Sequence, residues 1–258
     1  MKRRKMVRIA LLAVLVLLIG GIFTVSRKNT AAMNAFVETA LEELHAHYTV
    51  TQRDPGEYGE LKLFGLMKFK VDQYDAEELG NVSVMRVNMG LMQMASVVVT
   101  PRDKNLPLFS ADYLYMLSNR KAYLEFYDVV KEKDELYGEL MESLVNVQDK
   151  YTYLDDFEPA EAWYDDLMTV ATFKSATWNY DTSLLHLFAE NMHVYLEHGN
   201  AVPTLSAEER QEKLALTAAY TDGLIEKGGV STDIFKKQLG YEETKNFFDK
   251  VFFGTAIP

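Results

Sequence analysis

The chain has 258 residues, of which 48% are hydrophobic and 12% aromatic, which suits one ordinary domain with a sizeable core. It contains no cysteine, and this excludes disulfides, thiolate metal sites and cysteine nucleophiles. Seven cations but no acid precede Glu38, so the rest of the chain holds 20 basic against 38 acidic residues, a net charge of −18. A body this acidic repels phosphate backbones, and we therefore expect no nucleic-acid partner.

The first feature along the chain is an uncharged apolar run over residues 9–25, just long enough to span a membrane as a helix. The alternative is a cleaved signal peptide, but two cations directly after the run disfavour cleavage there. The KRRK tetrad before the run favours a cytoplasmic N-terminus. We predict a single-pass membrane anchor over residues 1–28 and an extracytoplasmic globular domain over residues 29–258.

The domain begins with a predicted helix over residues 31–48, capped by Asn29 or Thr30. Five segments rich in Val, Tyr, Phe and Met then alternate in part between apolar and polar residues, which predicts strands. They cover residues 60–73, 81–88, 92–100, 109–117 and 121–130. Because the links between them are too short for parallel crossovers, the strands are expected to form an antiparallel meander.

The chain from residue 134 onward has a helical pattern. The first predicted helix begins at Asp134, and the next two cover residues 159–163 and 182–198. A fourth helix follows a capping box formed by Ser206 and Glu209. A short helix then stops at Gly240, and a last helix closes the chain. Strands followed by helices indicate an α+β fold, an α/β/α sandwich with a central antiparallel sheet. A ligand pocket is expected between the sheet and the helices.

Sequence motifs for common catalytic sites are absent: there is no P-loop, Gly-rich dinucleotide fingerprint, G-x-S-x-G or H-E-x-x-H. His45 and His47 are two residues apart and do not share a helix face, whereas His186 and His193 do. Without a third ligand nearby in the sequence, these histidines do not predict a metal site.

Four methionines, at positions 85, 89, 92 and 94, fall on two of the predicted strands and the link between them. Their flexible thioether chains are expected to fill gaps in the core. The alternative is that they form an adaptable apolar wall for a flat ligand.

The most informative stretch is ASVVVTPRDKNLPLFSAD over residues 95–112. A strand ends at Pro101-Arg102, a Leu-Pro-x-Phe segment follows, and Asp112 stands near the start of the next strand. This pattern resembles the ferredoxin-dependent bilin reductases. Two further segments are similar to that family: Asp128 at the end of the following strand, expected to be structural, and the aromatic closing pattern over residues 234–254.

The resemblance implies a reductase of linear tetrapyrroles such as biliverdin, which receives single electrons from ferredoxin and holds no flavin, haem or metal of its own. It implies that Asp112 protonates the bilin. We expect the bound bilin to be contacted by Ser96, by an aromatic at position 114 and by His186. Without the resemblance, Asp112 would be read as a strand-start residue bonded to its own loop.

Two departures from the family pattern keep a second function open. Ser96 stands where some members carry a histidine, and a hydroxyl does not titrate near neutral pH. The family's second aspartate has no counterpart, because Gly228, Gly229 and Val230 occupy that place. The alternative function is a non-catalytic tetrapyrrole-binding or structural domain on the outer membrane face.

Overall fold

The computed structural model describes residues 2–65, 67–229 and 232–256, with side chains from residue 20 onward. Nine strands in these residues form one sheet. They are β1 (Val50–Arg53), β2 (Glu60–Leu63), β3 (Met67–Ala76), β4 (Gly80–Asn88), β5 (Met92–Pro101), β6 (Leu108–Met116), β7 (Asn119–Tyr127), β8 (Asp155–Asp156) and β9 (Met168–Thr177).

The sheet has the order β1-β3-β4-β5-β6-β7-β9-β8, with β2 also paired to β3. Every pairing is antiparallel. The predicted meander is confirmed for β3 to β7, because short links force each strand to pair with the preceding one.

Helices cover both faces of the sheet, as the sandwich prediction required. They are α1 (Lys2–His47), α2 (Glu135–Gln148), α3 (Asp181–Ala201), α4 (Ala207–Lys227), α5 (Thr232–Leu239) and α6 (Tyr241–Phe247), and α6 continues into a π-helical turn over Phe248–Phe252. Helices α1 to α3 pack on one face, here the α1 face, and α4 to α6 pack on the other, the α4 face.

Strand alternation builds a separate core on each face. On the α1 face, Ala111 and Leu124 pack beneath Phe36 of α1 and Phe188 of α3, whose ring centroids are 4.3 Å apart. On the α4 face, aromatic side chains of the C-terminal helices cover the strands; they include Tyr220, Phe235, Phe247 and Phe248. The candidate site lies on this second face.

The predicted start of the first helix is wrong. Helix α1 passes through Asn29 and Thr30 without a break, since no glycine or proline between residues 22 and 47 interrupts it. Asn29 is fully buried, and its Nδ2 donates a hydrogen bond to the Leu91 carbonyl at 3.4 Å. The residue therefore joins the helix to the turn between β4 and β5 and does not cap the helix.

The predicted helix over residues 159–163 is also wrong, since this segment is irregular and lies against α4. The Trp163 ring rests on Gly223, where a Cβ atom would lie 2.5 Å from the ring, and Trp163 Nε1 donates to the Gly228 carbonyl at 2.9 Å. The chain then enters β9, a strand missed in the sequence, which extends the sheet beside β7. Tertiary packing overrides local helix propensity here.

The C-terminal signals are confirmed. Ser206 caps α4 with a complete capping box, in which its hydroxyl accepts from the Glu209 N–H at 3.3 Å and the Glu209 carboxylate accepts from the Ser206 N–H at 2.9 Å. Gly240, at φ 85°, separates α5 from α6. These boundaries fix the position of the helices that cover the α4 face.

The predicted anchor falls largely outside the residues whose side chains are described. Among those that are, no helix combines the length and apolarity that a membrane crossing requires. Residues 9–19 of the apolar run are described in backbone only, so the transmembrane anchor stays a prediction.

Candidate functional site

A cavity of about 360 Å³ lies on the α4 face, between the middle of the sheet and the C-terminal helices. Its walls are mainly apolar, with aromatic rings from the strands, from the irregular segment before β9 and from the helices; these include Tyr123, Tyr127, Tyr164, Phe173, Tyr220 and Phe248. Met85 and Met94 also line it, so two of the four methionines face the cavity. Volume and lining are typical of a small-molecule site.

Asp112 lies in the middle of β6 and points into this cavity. Ser96 is its directly paired neighbour on β5, and Ser110 precedes it by two residues on the same strand, so all three side chains share one face. The Ser96 hydroxyl donates to Asp112 Oδ1, and the Ser110 hydroxyl donates to Oδ2 at 3.1 Å. Both carboxyl oxygens therefore have a hydroxyl donor, and the group is held in a fixed orientation.

The environment of Asp112 favours its protonated form. Burial raises the pKa of this carboxyl above its ordinary value, and the hydrogen bonds from Ser96 and Ser110 oppose that rise without cancelling it. A carboxyl in this state retains a proton at a higher pH than an exposed aspartate. Such a group is suited to act as a general acid.

Glu125 is a second acid in the same cavity, and sequence reasoning missed it. It lies on β7 opposite Ser110, diagonal to Asp112. Burial raises its pKa to about 8, with a further contribution from the charge of Asp112. Strand alternation could have found it: Tyr123, Glu125 and Tyr127 are two residues apart, so their side chains share one face of a strand that pairs with the strand of Asp112.

The aromatic contact predicted at position 114 is wrong, because that residue is Leu114. It follows Asp112 by two residues and lines the cavity, as strand alternation requires. The adjacent Tyr113 and Tyr115 point to the α1 face, where their hydroxyls donate to the carbonyls of Leu184 and Ala32. The position is a wall of the cavity, but an aliphatic one.

His186 is not brought to the cavity. It is an exposed residue of α3, and α3 packs on the α1 face, across the sheet from Asp112. Its expected contact with a bilin stays a prediction, and the structure does not place His186 beside Asp112. The periodicity of a helix shows which residues share a side, but not which face of the sheet the helix covers.

Two other aspartates lie outside the cavity. Asp128 accepts hydrogen bonds from Tyr137 and, at 2.6 Å, from Thr169 Oγ1, which fits its expected structural role. Asp233 is in the first turn of α5 and pairs with Lys236 at 3.4 Å. Gly229, where the second family aspartate was sought, lines the cavity without offering a carboxyl group.

Comparison with known proteins informs the fold of this chain. No protein-family model matches this chain, and no curated protein matches it. Among solved structures, the chain is similar to phytochromobilin synthase from tomato, which was determined in complex with biliverdin. The TM-score is 0.70 at 13% sequence identity, over 86% of this chain and 83% of the other. The chain therefore has the antiparallel sheet flanked by helices that is seen in this bilin-binding protein.

Proposed function

We propose that the chain binds a linear tetrapyrrole in the Asp112 cavity and reduces it, with Asp112 as the proton donor. The observation that carries this proposal is a partly buried carboxyl group, held by two serine hydroxyls, in an aromatic cavity on the central sheet. The fold that places it there is shared with a protein solved with biliverdin.

The lining of the cavity suits a flat conjugated ligand. Aromatic rings stack on or edge against extended π-systems, and Met85 and Met94 supply adaptable apolar surface beside them. The carboxyl groups that line the cavity are those of Asp112, Glu125 and Asp165, set among mainly apolar and aromatic side chains. Most of the binding free energy would therefore come from apolar contacts, while the carboxyl groups fix orientation.

Reduction of one double bond in a bilin takes two electrons and two protons. The electrons would arrive one at a time from ferredoxin or another small iron–sulfur protein, and the chain needs no cofactor of its own for this chemistry. Asp112 would deliver a proton to the reduced ligand. Glu125, which holds its proton up to about pH 8, is placed to supply the second one or to reprotonate Asp112.

A second candidate function, a tetrapyrrole-binding domain without turnover, is supported by Ser96 and by the charge. Ser96 replaces a titrating histidine of some bilin reductases. The body carries a net charge of −18, and ferredoxin is also acidic, so the two would repel each other. An anchor over residues 1–28 with the domain outside would further separate it from a cytosolic donor.

The two candidates are separated by adding biliverdin to the purified protein and recording absorption spectra. We expect a red-shifted or structured band that saturates at one bilin per chain. Anaerobic addition of ferredoxin with a reducing system should then replace this band with that of a reduced product. A bound bilin that stays unreduced identifies a binding domain, and absence of binding at micromolar concentration rejects both functions.

A matched pair of variants locates the binding site. Leu114→Trp fills the cavity beside Asp112 and should abolish the spectral change. Met116→Trp adds the same ring to the exposed end of the same strand and should leave bilin binding intact. Equal binding by both variants would place the bilin elsewhere.

A further inference from the structure

Two helices of the α1 face bring together three potential metal ligands. Glu43 and His47 are one turn apart on α1 and so share a side of that helix, and His193 faces them from α3. Their ligand atoms, Glu43 Oε2, His47 Nε2 and His193 Nδ1, all lie within 4.8 Å of one another. His193 thus supplies a third ligand to the pair on α1, from a position about 150 residues further along the chain.

The spacing of these atoms suits a tetrahedral ion. Two ligands bound to zinc at its usual bond lengths are about 3.4 Å apart. Here His193 Nδ1 is 3.3 Å from His47 Nε2 and 3.1 Å from Glu43 Oε2, and His47 Nε2 is 3.8 Å from Glu43 Oε2. Two of these distances are slightly shorter and one is slightly longer than the ligand–ligand distance around a bound zinc ion. Only small side-chain movements are therefore needed to bind the ion.

The remaining ring nitrogens also have partners. His47 Nδ1 is 3.3 Å from the side-chain amide of Asn200, and His193 Nε2 is 3.7 Å from the Glu197 carboxylate. Metal-binding histidines usually donate their second N–H to such a group, which fixes the ring and raises its basicity. With the Asn200 amide oxygen turned toward the ring, His47 has this support. The Glu197 carboxylate lies near His193 Nε2 at ion-pair distance, beyond the range of a hydrogen bond.

From this arrangement we propose that Glu43, His47 and His193 bind a divalent transition-metal ion of the zinc class. Two imidazoles and one carboxylate are ligands that zinc accepts, with a water in the fourth position. The cluster is partly exposed, His193 by 51% of its side chain, so an ion can enter from solvent. The ion would clip the C-terminal end of α1, the helix that carries the predicted anchor, to α3.

This site is independent of the proposed bilin chemistry. It lies on the α1 face and shares no residue with the Asp112 cavity on the α4 face. Loss of the metal is therefore expected to leave bilin binding unchanged, and the two proposals can fail separately.

The test is a calorimetric titration of Zn²⁺ into the full chain, produced without a histidine tag and treated with chelator. We expect one ion per chain, bound at micromolar concentration or tighter, and a higher melting temperature with Zn²⁺ than with Mg²⁺. His193→Gln should weaken Zn²⁺ binding by at least about tenfold. Removing a group that only supports a metal ligand already weakens metal binding about tenfold or more, and removing the ligand itself should cost at least as much. It should also remove the zinc-dependent rise in melting temperature.

His45→Gln is the matched control, because His45 is an exposed histidine two residues from His47 and outside the cluster. It should bind Zn²⁺ like the unmodified chain. The exposure of His193 makes its substitution compatible with folding, which circular dichroism checks. Absence of stoichiometric binding, unchanged affinity in His193→Gln, or an equal loss in His45→Gln would overturn the proposal and leave a cluster held by hydrogen bonds alone.

Discussion

Ser96 and Asp112 are directly paired across β5 and β6, and the Ser96 hydroxyl donates a hydrogen bond to the Asp112 carboxyl. This bond stabilises the ionised form, whereas burial stabilises the protonated form. The pKa of Asp112 is therefore set by two opposed effects, of which burial is the larger. Ser96 thus adjusts the pKa of the proposed acid without titrating near neutral pH itself.

The first prediction concerns this bond. Ser96→Ala removes a donor to the carboxylate, so the pKa of Asp112 should rise and the alkaline limb of the pH–rate profile should move to higher pH. Ser110→Ala should act in the same direction but less strongly, because the Ser110 bond lowers the pKa by less. The measurement is kcat for bilin reduction across the pH range. A limb that stays in place in Ser96→Ala would mean that another group controls it.

The meander was predictable because it depends on local signals, whereas the role expected for Asp112 came from the family resemblance. Alternation within each strand and short links between strands fix the pairing of β3 to β7, and this pairing places Asp112 beside Ser96. The capping box at Ser206 and Glu209 was predictable for the same reason. Each of these features involves residues that are close in the sequence or on consecutive strands.

Features set by long-range packing were not predictable. Strand β9 follows a long irregular segment, and its pairing with β7 depends on residues some 50 positions away. The position of His186 depends on which face α3 covers, and the Glu43, His47 and His193 cluster depends on the contact of α1 with α3. Glu125 lies between these cases, since its strand was predicted but its side of the sheet was not considered.

The second prediction uses the pH dependence of stability. In the folded chain the pKa of Glu125 is raised from 4.5 to about 8, so the native state retains a proton that the unfolded chain has lost in that range. Its contribution to stability is complete below pH 4.5 and is lost as the pH rises to about 8. Each unit of difference in pKa corresponds to about 1.4 kcal/mol.

Glu125→Gln removes this titration while preserving shape. The urea midpoint of the variant should therefore depend less on pH between 5 and 8 than that of the unmodified chain, and at pH 8 the variant should be the more stable. Urea unfolding at several pH values measures this. Parallel midpoint curves for the two proteins would show that Glu125 ionises normally in the folded state.

The third prediction concerns the anchor. Deletion of residues 1–28 should yield a soluble, folded domain, because among the residues of α1 whose side chains are described, from residue 20 onward, the first buried one is Asn29. The cut removes the contact of Lys28 Nζ with the Trp178 ring, 4.4 Å from its centroid, at a cost of about 0.5–1 kcal/mol. The full chain should fractionate with membranes at 29.5 kDa.

Topology is checked on the same full chain. Protease added to intact cells or spheroplasts should digest the domain if the positive charges before the apolar run stay inside. Protection from protease would place the domain on the cytoplasmic side, within reach of ferredoxin. A shorter mature chain in the medium would instead identify the segment as a cleaved signal peptide.

The matched control for the proposed acid is Asp128. Asp128→Asn alters a partly buried aspartate that accepts hydrogen bonds from Tyr137 and Thr169 outside the cavity. It should lower stability by about 1–3 kcal/mol, because neighbouring polar groups lose a charged partner. Its turnover of bilin should be unchanged. The contrast separates a catalytic carboxyl from a structural one.

Bilin turnover by Asp112→Asn tests the account most directly. Asparagine keeps the size and hydrogen-bonding capacity of the side chain but has no transferable proton. Bilin should still bind, turnover should fall by about 10²–10⁴-fold, and a one-electron-reduced bilin radical should accumulate because protonation no longer follows electron transfer. Turnover at the rate of the unmodified chain, with only a lowered melting temperature, would contradict the assignment of Asp112 as the proton donor.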